Sequence, residues 1–133
     1  MRHVQHTLPT CLAVATLWGA AGIATVAHAQ TPAPFVGIWT VAWQGVRTPQ
    51  QARLVITESG GTYKSNATSR DDPCVGKQVP IVLEDVDGEE ATVLLKFSEA
   101  LHGCTDRKLK IKKVDDKNMM GSFGKTAATI TRD

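Results

Sequence analysis

Cysteine is sparse in this chain, three residues in 133, too few for the dense disulfide framework that holds very small exported domains together. An excess of one charge is also missing: 15 Lys plus Arg face 13 Asp plus Glu, without the strong basic surplus of a nucleic-acid binder. No apolar run is long enough to span a bilayer. The longest, Leu12 to Ala27, is interrupted by Thr16, Gly19, Gly22 and Thr25 and falls short of the ~20 residues a membrane helix needs. Catalytic signatures are lacking as well, with no Gly-x-Ser-x-Gly and no His-Glu-x-x-His.

What is present begins with a tripartite start. A short polar segment carries Arg2 and no acid, the apolar run follows, and Ala27-His28-Ala29 precedes Gln30. This predicts a secretory signal peptide over residues 1–29, cleaved after Ala29, and places the protein in the periplasm or outside the cell with no membrane anchor after cleavage. Cys11 stands before the apolar run rather than at its end, which argues against a lipid anchor. His3, His6, His28 and Cys11 leave with the leader, so His102 is the one histidine beyond it, and Cys74 and Cys104 are the two cysteines. In an oxidising compartment those two are expected to form a disulfide; two free thiols or a link to a partner is the alternative.

Residues 30–34, Gln-Thr-Pro-Ala-Pro, read as an extended tether, since two closely spaced prolines oppose helix. From Phe35 to Asp133 the pattern predicts one all-β domain. Eight short runs rich in Val, Ile, Thr and aromatics cover Phe35 to Trp43, Ala52 to Glu58, Thr62 to Thr68, Lys77 to Asp85, Ala91 to Ser98, Lys108 to Val114, Asn118 to Phe123 and Thr126 to Arg132. Glu58-Ser59-Gly60-Gly61, Asp87-Gly88 and Asp115-Asp116-Lys117-Asn118 supply hairpin turns between neighbours. A meander of eight such strands predicts an antiparallel up-and-down barrel, with a two-sheet β-sandwich as the alternative; no helix is expected.

Alternation assigns the inward faces: Gly37, Trp39, Val41 and Trp43; Leu54 and Ile56; Val79, Ile81 and Leu83; Val93, Leu95 and Phe97; Leu109 and Ile111. Lys108, Lys110 and Lys112 then form a solvated outer row, which also guards against stray strand pairing; docking of an acidic partner is the competing use.

Gly37-Ile38-Trp39 on the first strand, Arg132 at the end of the last, and the meander between them resemble the calycin superfamily of lipocalin- and avidin-type barrels. The resemblance implies that Trp39 packs against Arg132 and closes the barrel base, a contact the guanidinium can make by lying over the indole. Gly61-Thr62-Tyr63-Lys64-Ser65 is similar to the third-strand region of avidins, which implies that Tyr63 and Ser65 face a pocket. Avidin pockets carry further tryptophans on later strands, and this chain has none after Trp43, so biotin is not the expected ligand.

His102 is the one group beyond the leader that titrates near neutral pH unaided, with Glu99 and Asp106 as neighbours able to orient it. No nucleophile accompanies it, so no catalytic residue, metal or cofactor is assigned. Glu84 to Glu90 contains Asp-x-Asp-Gly, a fragment of a calcium loop, but reads as a solvated acidic hairpin. Asn66-Ala67-Thr68 fits a glycosylation acceptor, which has meaning only in a host that glycosylates.

The expected function is therefore that of an exported, non-enzymatic binding module. It would present the loops Ser69 to Gly76, Asp85 to Glu90 and Leu101 to Arg107 to a protein partner, as inhibitors and immunity-type proteins do. The alternatives are a carrier of a small apolar ligand in the barrel interior, with Trp43, Tyr63, Ser65 and Phe97 as candidate lining, and an enzyme depending on His102.

Overall fold

The computed structural model describes residues 33–133; the predicted leader and residues 30–32 of the predicted tether lie outside the described residues. Ala33–Phe35 coil into one 3₁₀ turn instead of continuing the tether. The reason is Phe35, which is fully buried and whose carbonyl oxygen accepts a 2.8 Å hydrogen bond from Trp39 Nε1.

Eight antiparallel strands follow in simple order: β1 (Gly37–Gln44), β2 (Pro49–Thr57), β3 (Gly60–Ser65), β4 (Gln78–Asp87), β5 (Glu90–Leu95), β6 (Arg107–Lys113), β7 (Asn118–Phe123) and β8 (Thr126–Arg132). Each pairs with its sequence neighbour, and β8 returns to β1 through Trp39↔Arg132 to Trp43↔Ala128, so the sheet closes into a barrel. Closure leaves no strand edge unpaired. The expected barrel is thus the architecture found, and the sandwich is not.

Tight turns join β2 to β3, β4 to β5 and β6 to β7 at one end, the base. Longer connections lie at the other end, the mouth: residues 45–48, 66–77 and 96–106, with Gly124-Lys125 between β7 and β8. At the base turn Gly61 has φ +141°, and a Cβ there would collide with the Val55 carbonyl oxygen. No other residue fits that approach.

Four elements depart from the sequence reading. The chain after β5 does not stay extended to Ser98 but makes a single helical turn, α1 (Phe97–Ala100), in which Phe97 remains buried. In β4 the register shifts between Glu84 and Asp87, and Asp85 adopts φ +47°. This bulge reverses the alternation, so Val86 turns into the core while Leu83 is only half-buried. Strand β6 starts at Arg107, one residue earlier than expected, and β2 starts at Pro49.

The base is closed by the Trp39–Arg132 pair. Trp39 is fully buried, and the Arg132 guanidinium carbon lies 4.3 Å from its ring centroid. Arg132 also donates from Nε to the Asp116 carbonyl oxygen (2.8 Å) and from Nη1 to the Val36 carbonyl oxygen (3.3 Å). Gly37 completes the arrangement, since a Cβ at that position would stand 2.7 Å from Arg132 Nη1. On the outer face of β6, Lys108 pairs with Glu84 (3.2 Å) and Lys112 with Glu90 (2.8 Å). Carboxylates on β4 and β5 thus answer two of the three lysines in the row, in exposed pairs that solvent screens and that add little to stability.

Candidate functional site

The barrel is filled from the base upward. Phe35, Trp39, Val41, Leu54, Ile56, Val79, Val93, Leu109, Met119 and Ile130 are all essentially inaccessible. Gly121 lets Leu109 and Ile130 close the middle of the barrel, since a Cβ there would lie 2.8 Å from Ile130 Cδ1. Packing stops short of the mouth, where a cavity of about 620 Å³ remains, bounded by β1, β3, β5, β6, β7 and the turns beside them. That volume lies within the ~300–1,000 Å³ range of small-molecule sites.

The alternation that fills the core also builds this cavity, because each inward series ends in a larger or more polar residue at the mouth. Trp39 and Val41 lead to Trp43; Met119 and Gly121 lead to Phe123; Ile111 and Leu109 lead to Arg107. Trp43 and Phe123 meet edge to face with centroids 5.4 Å apart. Tyr63 meets Phe123 at 6.4 Å and Phe97 at 6.3 Å in the same manner. Four rings from four parts of the chain therefore form one continuous wall, held by the geometry aromatic pairs prefer.

Two polar groups are set into this wall. Arg107 lines the cavity with its guanidinium carbon 5.6 Å from the Phe97 ring centroid, and it makes no ion pair among the described residues. Tyr63 is only 3% exposed, yet its hydroxyl has no hydrogen-bond partner among the described residues. Every side-chain nitrogen or oxygen sealed from solvent among those residues does have a partner, so the Tyr63 hydroxyl finds its outlet in the cavity. Burial pushes this phenol well above the ordinary tyrosine range, with the Arg107 charge opposing. It therefore stays protonated, and available as a donor, at any physiological pH.

The mouth is braced by the disulfide between Cys74 and Cys104, which ties the β3–β4 connection to the β5–β6 connection. The bond suits an oxidising, extracytoplasmic environment. Asp72 Oδ1 accepts from the Cys74 backbone N–H at 2.9 Å, as the turn chemistry of Asp71-Asp72-Pro73 implies. Asp106 accepts from the Ser98 backbone N–H (2.9 Å) and from Lys96 Nζ (3.0 Å), and these contacts lower its carboxyl to about 2. Its contribution to stability is present above the unfolded-state value near 3.8 and is lost as pH falls through about 2. Thermal unfolding followed by circular dichroism between pH 6 and pH 2 should show Asp106→Asn less stable than wild type at pH 6, with the two curves converging toward pH 2. Parallel curves would remove this role for Asp106.

Of the candidate residues, the structure brings Trp43, Tyr63 and Phe97 together and leaves Ser65 apart. Ser65 shares the inward face of β3 with Tyr63, but its Oγ accepts the Ala67 backbone N–H at 3.0 Å beneath the β3–β4 connection, outside the cavity lining. His102 is exposed on the β5–β6 connection, and the carboxylates expected to orient it, Glu99 and Asp106, both face Lys96 (3.8 and 3.0 Å). Phe123 and Arg107 are among the lining residues that sequence reasoning missed. Extending the Ile111–Leu109 alternation one step would have found Arg107.

Compared with protein-family models, with curated proteins and with solved structures, the chain finds no match in any of the three.

Proposed function

We propose that this chain is an exported, calycin-like binding module that takes one compact ligand in the aromatic cup at the barrel mouth. The observation that carries this reading is the change in packing along the barrel axis: dry and filled at the base, open and ring-lined at the mouth. A domain with no ligand to hold gains stability by filling that space, since each buried methylene contributes about 0.8 kcal/mol. The calycin-like assignment is supported by the Trp39–Arg132 contact at the closing seam and by the meander order.

A titration of intrinsic fluorescence with a panel of indole and naphthalene derivatives tests the reading. Trp43 stands in the cup and Trp39 is sealed at the base, so binding should move the emission of Trp43 alone. Trp43→Ala should weaken binding at least about tenfold by calorimetry, as loss of a central aromatic anchor does. A flat response across the panel, by emission and by calorimetry, would remove the proposal.

A second reading, loops offered to a protein partner, has its own observation. Val46 projects fully exposed from the β1–β2 connection beside Arg47. On that reading Val46→Asp should abolish capture of a partner from the exported fraction, and unchanged capture would exclude this contact.

A further inference from the structure

We propose that the ligand of the mouth is a compact aromatic acid whose carboxylate is held by Arg107 and the Tyr63 hydroxyl while its ring lies against Trp43 and Phe123. The proposal rests on the reading of the mouth as a ligand site and adds the chemical class of the ligand. Two independent observations point to an anion. Arg107, exposed at the rim and lying over the Phe97 ring, lines the cavity with no carboxylate partner among the described residues, and its planar fork matches a carboxylate's two oxygens. Tyr63, a side chain only 3% exposed, turns a hydroxyl with no partner among the described residues into the cavity, where it is a protonated donor at hand for an anionic oxygen.

The rings decide the rest of the ligand. Trp43 and Phe123 present faces and edges on the side of the cup away from α1, where an apolar ring system gains contact and water has few partners. The charge distribution agrees. Arg47, Arg70, Lys77, Arg107 and Lys125 stand on or beside the connections at the mouth, where Asp71 and Asp72 share a loop and Glu99 and Asp106 both face Lys96. The base turns instead carry Glu58, Asp87, Glu89, Asp115 and Asp116 against Lys113 and Lys117. An anion is thus drawn toward the mouth and repelled from the base.

Calorimetry with three matched pairs tests this on the purified protein: benzoate and benzamide, indole-3-acetate and its amide, 2-naphthoate and 2-naphthamide. At least one acid should bind tenfold or more tighter than its amide, because a hydrogen-bonded ion contact is stronger than a neutral one. Arg107→Gln should weaken the acid far more than the amide and bring the two to within about threefold of each other. Tyr63→Phe should weaken the acid about fivefold or more without lowering the melting temperature, which separates a ligand contact from a structural one. Equal affinity for acid and amide, or a preference that survives Arg107→Gln, overturns the anion clamp and leaves the aromatic cup standing. Binding of neither member of any pair overturns both.

Discussion

Replacing Cys74 and Cys104 together by alanine is expected to lower the free energy of unfolding by about 3.5 kcal/mol. The two cysteines are 30 residues apart, and closing a loop of that length removes this much conformational entropy from the unfolded chain. The loss is large beside the ~5–15 kcal/mol that holds a domain of this size. It should also fall on the mouth, because the bond joins the two longest connections there. Urea titration of the wild type with and without reductant, beside the double variant, measures it. Reduced wild type should superpose on the variant, and the variant should ignore reductant. A difference below about 1 kcal/mol would mean that hydrogen bonds and packing, rather than the covalent tie, hold the two connections.

Truncating Trp39 to alanine should cost about 3–5 kcal/mol, the range for removing a large aromatic from a sealed core. Three separate contributions meet in that side chain. It is fully buried, its Nε1–H is bonded to the Phe35 carbonyl oxygen, and the Arg132 guanidinium lies over its ring. If Trp39→Ala fails to fold, Trp39→Phe and Arg132→Met, alone and combined, still measure the contact. A double-mutant cycle should return a coupling of about 0.5–1 kcal/mol for an exposed cation held against a buried ring. Additive single effects would show that the guanidinium acts only through its bonds to the Asp116 and Val36 carbonyl oxygens, and the seam would need another explanation.

The barrel was legible in the sequence because two local signals agreed. Alternating apolar residues gave the strands, and Gly-Gly, Asp-Gly and Asp-Asp-Lys-Asn gave the tight turns at the base. The failures fall where a local signal is one residue out of phase. Val86 enters the core only because the chain bulges at Asp85, and a bulge leaves no mark in a two-residue period. Phe97 continues the alternation of Val93 and Leu95 while belonging to a one-turn helix too short to show a helical period. Arg107 was read as loop because a charged residue beside two loop-forming segments does not announce a strand. Its place at the rim of the mouth follows once β6 is seen to begin with it and the Ile111–Leu109 alternation is carried one step further. Three of the four rings of the cup, Trp43, Tyr63 and Phe97, are thus named from the sequence, whereas Phe123 and the cationic group are not. Ser65 was placed with them by resemblance to avidins, and the turn at Ala67 takes its hydroxyl instead.

Amide chemical-shift mapping during addition of indole-3-acetate tests the central claim most directly, because it locates the ligand without depending on any one substitution. The account predicts saturable shifts confined to the mouth: Trp43 to Val46, Tyr63, Phe97, Arg107, Phe123 and Gly124. Shifts centred on the Lys108–Lys112 row or on the base turns, or none at ligand concentrations up to several millimolar, would contradict it.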